Sequence, residues 1–167
     1  MSDDRIAEIK QSLVAHDLTP TTETSLHHAG VRCPLHLGTE AAVQEALGQL
    51  DVMAAVGVPY YMSCGTPGES LYETLFTVLR EAAAYGAELG MTVTIKSHGG
   101  PAGTCHDLVR MVEIIDHPNF GIYLDPGNVI YFTGHSPLEG IDDVAPHVVA
   151  AIVKDEVSGE RASVEIE

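Results

Sequence analysis

Three apolar runs in the second half of the chain, at 91–95, 120–124 and 148–153, end beside Lys96, Asp125 and Lys154, which stand 29 residues apart. A fixed interval of about 30 residues has room for one strand, one helix and the turns between them, so it constrains the chain to βα units. The runs are continuous rather than alternating, the pattern expected of strands covered on both faces of a parallel sheet. Such units build a (β/α) barrel or a doubly wound sheet.

The earlier sequence extends the pattern. Residues 3–16 place Ile6, Ile9, Leu13 and Val14 at helical spacing behind Asp3 and Asp4, and the β-branched stretch 19–26 reads as a strand. Residues 39–56 predict a helix ended by Gly57, 58–63 a strand, and 70–89 a long amphipathic helix stopped by Gly90. A helix follows at 104–115 with Thr104 or Gly103 at its cap, a short helical stretch at 137–146, and the start of another extended piece at 162–167. The expectation is a single α/β domain over 1–167 with about five parallel strands. A closed eight-stranded barrel takes about 250 residues, so this would be an incomplete barrel.

Composition narrows the partners. Eight Lys plus Arg face 24 Asp plus Glu, a formal net charge of −16, which gives no electrostatic footprint for a phosphate backbone and argues against nucleic acid. No apolar run approaches the ~20 residues of a membrane helix. The opening residues lack the basic and apolar regions of a signal peptide. Cys33, Cys64 and Cys105 are odd in number and widely spaced, which fits reduced thiols. The expectation is a cytoplasmic protein.

In parallel α/β folds the chemistry lies where strands end. The residues at those points are His27 and His28, Ser63 to Gly65, Lys96 and His98, Asp125 and Asn128, and Lys154 to Glu156. The chain has three lysines, Lys10, Lys96 and Lys154, and two of them close strands. A lysine so placed acts as a fixed cation, a proton donor or an amine nucleophile, or else only pairs with Asp125 or Asp155. The turn from Ser97 through Gly99 and Gly100 to Thr104 resembles an anion cradle, although Gly-rich turns also serve simply to reverse the chain. His98 within it is the candidate acid or base. Asp125 is a candidate metal ligand or hydroxyl acceptor, and the run from Asp125 to Asn128 is equally strong turn chemistry. Cys64 has no partner at a diagnostic spacing and reads as structural. His106, His117, His135 and His147 read as solvated.

At these residues the chain resembles the xylose isomerase-like TIM-barrel superfamily, the sugar phosphate isomerase/epimerase group, over residues 81–159. The motifs are Ala84-Tyr85-Gly86-Ala87-Glu88-Leu89-Gly90-Met91-Thr92-Val93, Lys96-Ser97-His98-Gly99-Gly100, His117-Pro118-Asn119-Phe120-Gly121-Ile122, Leu124-Asp125-Pro126-Gly127-Asn128 and Val153-Lys154-Asp155. The resemblance implies strands three to seven of the barrel, with the first two and the eighth outside this chain. Open sheet edges would then be covered by association into a homo-oligomer. Members hold a divalent metal with a Glu, an Asp, a His and a second Glu. Here Lys96 falls at the first Glu, Ile152 at the His, and Asp125 alone matches. Mn²⁺, Mg²⁺ or Zn²⁺ would therefore need ligands from another chain.

Three functions follow as expectations. The first is an isomerase or epimerase of a small-molecule sugar or sugar phosphate, moving a proton next to a carbonyl. Lys96, His98 and Asp125 would be catalytic, and Asn128, Lys154, Gly99 and Gly100 would bind substrate. In that reading the Lys96 ammonium replaces the metal cation. The second is a non-catalytic partial barrel with a binding or structural role. The third is a lyase forming a Schiff base on Lys96 or Lys154. The superfamily also includes metal-dependent DNA-repair endonucleases, a branch that the charge and the missing ligands oppose.

Overall fold

The structure, a computed structural model, describes residues 1–24, 34–66, 68–154 and 156. The strand expected beyond Thr24, His27, His28, Cys33, Asp155 and the extended piece at 162–167 lie outside the described residues. Five strands, β1 (Glu23–Thr24), β2 (Tyr60–Cys64), β3 (Thr92–Lys96), β4 (Phe120–Leu124) and β5 (Val148–Ala151), form one sheet in the order β1-β2-β3-β4-β5. Every neighbouring pair is parallel. The order decides between the two architectures. A doubly wound sheet reverses direction at a switch point, whereas here each new strand adds beside the last. This is the winding of a (β/α) barrel, and the fold is an incomplete one.

The helices are α1 (Asp3–Ala15), α2 (Thr39–Val56), α3 (Tyr72–Glu88), α4 (Cys105–Ile115), α5 (Pro126–Thr133) and α6 (Ile141–Val144). Their apolar spacing explains how they pack. Ala42, Val43, Ala46, Leu50 and Met53 form the buried stripe of α2, and Leu75, Val78, Leu79, Ala82, Ala83 and Gly86 that of α3. The core joins these stripes to Val93, Ile95, Ile122, Leu108, Met111 and Ile115, each large side chain contributing about 1.5–3 kcal/mol by leaving water. Helix α4 starts at a capping box: the Thr104 hydroxyl accepts from the Asp107 N–H, and the Asp107 carboxylate accepts from the Thr104 N–H at 2.9 Å. At its other end Arg80 Nη2 donates to the Ile114 carbonyl at 2.7 Å, satisfying a terminal acceptor.

Three expectations change. The run from Asp125 is not a reversing turn: Asp125 caps α5, with Pro126 opening the helix. The helix expected over 137–146 shrinks to α6 followed by a 3₁₀ turn at Ala145–His147. The helix expected over 3–16 forms as α1, which buries none of its residues and leaves Val14 exposed. Finally, β5 is not covered on both faces. Val148 and Ala150 are half-buried while Val149 and Ala151 are exposed, and among the described strands β5 pairs only with β4.

Candidate active site

Lys96 is the last residue of β3, Asp125 follows β4 as the N-cap of α5, and Lys154 lies three residues beyond β5. The sheet register therefore brings three charged side chains to one end of three adjacent strands. Asp125 is buried at 1% exposure, and its two oxygens face different ammoniums. Oδ2 is 3.6 Å from Lys96 Nζ, and Oδ1 is 3.5 Å from Lys154 Nζ. The Lys96 side chain is 13% exposed and that of Lys154 38%, so the first pair is much the less screened.

Backbone and amide groups fix the carboxylate between them. Oδ1 accepts from the Asn128 N–H at 2.9 Å, the helix-capping bond. Asn128 Nδ2 donates to the Ser97 carbonyl at 2.7 Å, and Ser97 Oγ donates to the Asp125 carbonyl at 2.8 Å. Lys154 Nζ donates to Asn128 Oδ1. Each end of Asn128 is thus engaged, tying the loop after β3 to the chain after β5. Asp125 Oδ2 is buried and has no hydrogen-bond donor among the described residues. It is an acceptor with unused hydrogen-bonding capacity beside a cation.

Cys64 ends β2 in register with Lys96. Burial pushes its thiol up to about 11, with Lys96 opposing and Asp125 adding to the shift. The thiol therefore holds its proton at neutral pH more firmly than an exposed cysteine does.

His98 and the glycines take a different part. The His98 ring packs on Phe132 of α5, with centroids 4.2 Å apart. The Gly-rich turn folds back on itself: the His98 N–H donates to the Ala102 carbonyl and the Ala102 N–H to that of Gly99. Gly100 has φ +56°, and a Cβ there would lie 2.2 Å from the Thr66 carbonyl oxygen. These glycines let two loops touch, and two of the turn's N–H groups are spent within it. Sequence reasoning read Ser97 and Gly127 only as parts of turns and gave neither a role of its own. The only signal was their place beside Lys96 and Asp125. A separate groove, lined by His106, Arg110, Glu113, Asp142, Asp143 and His147, lies between α4 and the α6 segment.

The described residues of the site do not suit a divalent cation. Among the described residues no three His, Cys, Asp or Glu side chains gather around one point. Asp125 already faces two ammoniums, which would repel a further cation.

A parallel sheet wound in one direction, with its polar cluster at the C-terminal strand ends, defines a protein of the (β/α)-barrel class. The family described as xylose isomerase-like TIM barrel matches residues 1–162, and the chain belongs to it. No curated protein matches the sequence. Solved structures share the fold. A xylose isomerase-like TIM barrel protein from Mycobacterium smegmatis, crystallised with magnesium, is 19% identical with a TM-score of 0.76 over 92% of this chain and 57% of that one. A xylose isomerase domain protein from Planctomyces limnophilus gives 21%, 0.72, 90% and 59%. The 3-keto-D-glucoside 4-epimerase of E. coli gives 14%, 0.70, 91% and 65%. The chain thus spans less than two thirds of the length of each. No helix among the described residues is long and apolar enough to cross a membrane.

Proposed function

We propose that this chain carries a sugar or sugar-phosphate isomerase/epimerase site that moves a proton next to a carbonyl and uses lysine where relatives use a metal ion. The observation that supports this is the buried Asp125 held between two ammoniums at the ends of β3 and β5. Removing a proton beside a carbonyl puts negative charge on the carbonyl oxygen. A fixed, poorly solvated ammonium stabilises that oxygen without reorganising, and Lys96 is the less exposed of the two. Lys154 and Asn128 would hold the substrate, with Asp125 Oδ2 accepting one of its hydroxyls. His98 would take the proton from carbon and return it, to the neighbouring carbon in an isomerase or to the opposite face in an epimerase. Gly99 and Gly100 would shape the loop that carries His98. The buried free thiols Cys64 and Cys105 fit a reducing, cytoplasmic setting. The exposed face of β5 supports assembly with further copies of the chain.

A second reading, a binding protein without turnover, is supported by the Lys96 and Lys154 ammoniums both facing the Asp125 carboxylate. One experiment separates the readings. A panel of ketoses, aldoses and their phosphates is incubated in D₂O and followed by NMR. The proposal expects deuterium to enter at the carbon next to the carbonyl, with a rate unaffected by EDTA and reduced at least 100-fold in Lys96→Met. Binding without exchange would favour the binder. Loss of exchange with EDTA would overturn the lysine-for-metal assignment. A borohydride-trapped adduct on Lys96 or Lys154 would move the protein to the Schiff-base lyases.

A further inference from the structure

We propose that Gly127 is a positioning residue for Lys154: its missing side chain leaves a slot along the first turn of α5, and the lysine stem lies in that slot. A Cβ built on Gly127 would stand 2.8 Å from both Cγ and Cε of Lys154 and 3.3 Å from Cδ. Carbon atoms in contact prefer about 3.5–4.0 Å, so three successive methylenes run closer to this backbone than any side chain at 127 allows.

The glycine has no conformational reason to be there. Gly127 lies inside a helix and is not among the glycines of positive φ. At such a position alanine is the better residue, since glycine gives up more backbone freedom on folding. What glycine supplies is space. Lys154 lies beyond β5, where the last described pairing of its segment is the Ile152 N–H to the Leu124 carbonyl. Its long stem has many rotamers to lose. Lying across Gly127 directs the ammonium to Asn128 Oδ1 and to Asp125 Oδ1, the next residue of the same helix and its N-cap.

The inference deepens the proposed site, since it matters to function only if Lys154 holds substrate, but its test needs no substrate. Acetic anhydride labelling read by mass spectrometry compares Lys154 with Lys10, which is exposed on α1. In the wild type Lys154 reacts several-fold more slowly than Lys10. In Gly127→Ala its rate rises to within twofold of Lys10 while that of Lys96 stays unchanged, a selective change that general loosening would not produce. A folded Gly127→Ala in which Lys154 stays as protected as in the wild type overturns the proposal. If Gly127→Ala does not fold, Gly127→Ala/Lys154→Ala decides the matter against Lys154→Ala. With the stem removed, the double variant should melt at or above the single one, and a lower melting point overturns the slot. Failure of the sugar-exchange assay with selective unmasking of Lys154 would refute the function and leave the slot standing.

Discussion

Removing the charge of Asp125 tests the centre of the cluster. At 3.6 Å the gross attraction between unit charges is about 5 kcal/mol at an effective dielectric near 20. Desolvation cancels much of that in the folded protein. Losing one partner, however, strands the other, and breaking such a pair costs about 3 kcal/mol. The pair with Lys154, 38% exposed, adds under about 1 kcal/mol. Asp125→Asn keeps Oδ1 as acceptor for the Asn128 N–H, so the α5 cap survives and the expected loss is about 3 kcal/mol. Asp125→Ala also removes the cap, for about 1 kcal/mol more. For a chain of this size each kcal/mol lowers Tm by about 2–4 °C. Thermal unfolding followed by circular dichroism should therefore show Asp125→Asn about 6–12 °C below the wild type and Asp125→Ala a few degrees lower again. An Asn variant within about 2 °C of the wild type would mean that the ammoniums gain nothing from the carboxylate. An Ala variant no worse than Asn would remove the capping argument.

Two further perturbations test the surroundings. The folded Cys64 thiol holds its proton up to about 11, whereas the unfolded thiol releases it near 9.0; its contribution, about 2–3 kcal/mol, is complete below pH 9 and lost as pH rises toward 11. Tm should therefore fall more steeply above pH 9 in the wild type than in Cys64→Ala, and parallel slopes would show that the thiol is not buried as described. For the glycines, Gly100→Ala should cost about 2–4 kcal/mol, because it meets a backbone carbonyl at 2.2 Å with φ at +56°. Gly48→Ala, inside α2 with nothing within 4 Å, should instead stabilise by up to about 1 kcal/mol in the same melts; equal effects at the two positions would refute the close-contact argument.

Much of the fold was legible in the sequence because it depends on local rules. Thr39–Val56 follows from an apolar stripe at helical spacing with Gly57 to stop it, and Gly57 adopts the left-handed conformation that such a stop requires. The β4 run lies where its apolar residues placed it, and the cap at Thr104 is the one its neighbours allowed. Helix α5 was missed because Asp, Pro, Gly and Asn favour turns as strongly as a helix start. Only the packing of Val129 and Asn128 settled which they form.

The amino-acid sequence alone determined a βα chain with charged residues at 29-residue intervals, since that spacing is the length of one repeat. Tertiary structure decided the rest. Single-direction winding selected the barrel, and strand register set Lys96 and Lys154 on opposite oxygens of one carboxylate. The slot at Gly127 exists because residues 27 positions apart meet across the end of the sheet. Distances of that kind come from how strands pair and helices pack, and no local pattern encodes them.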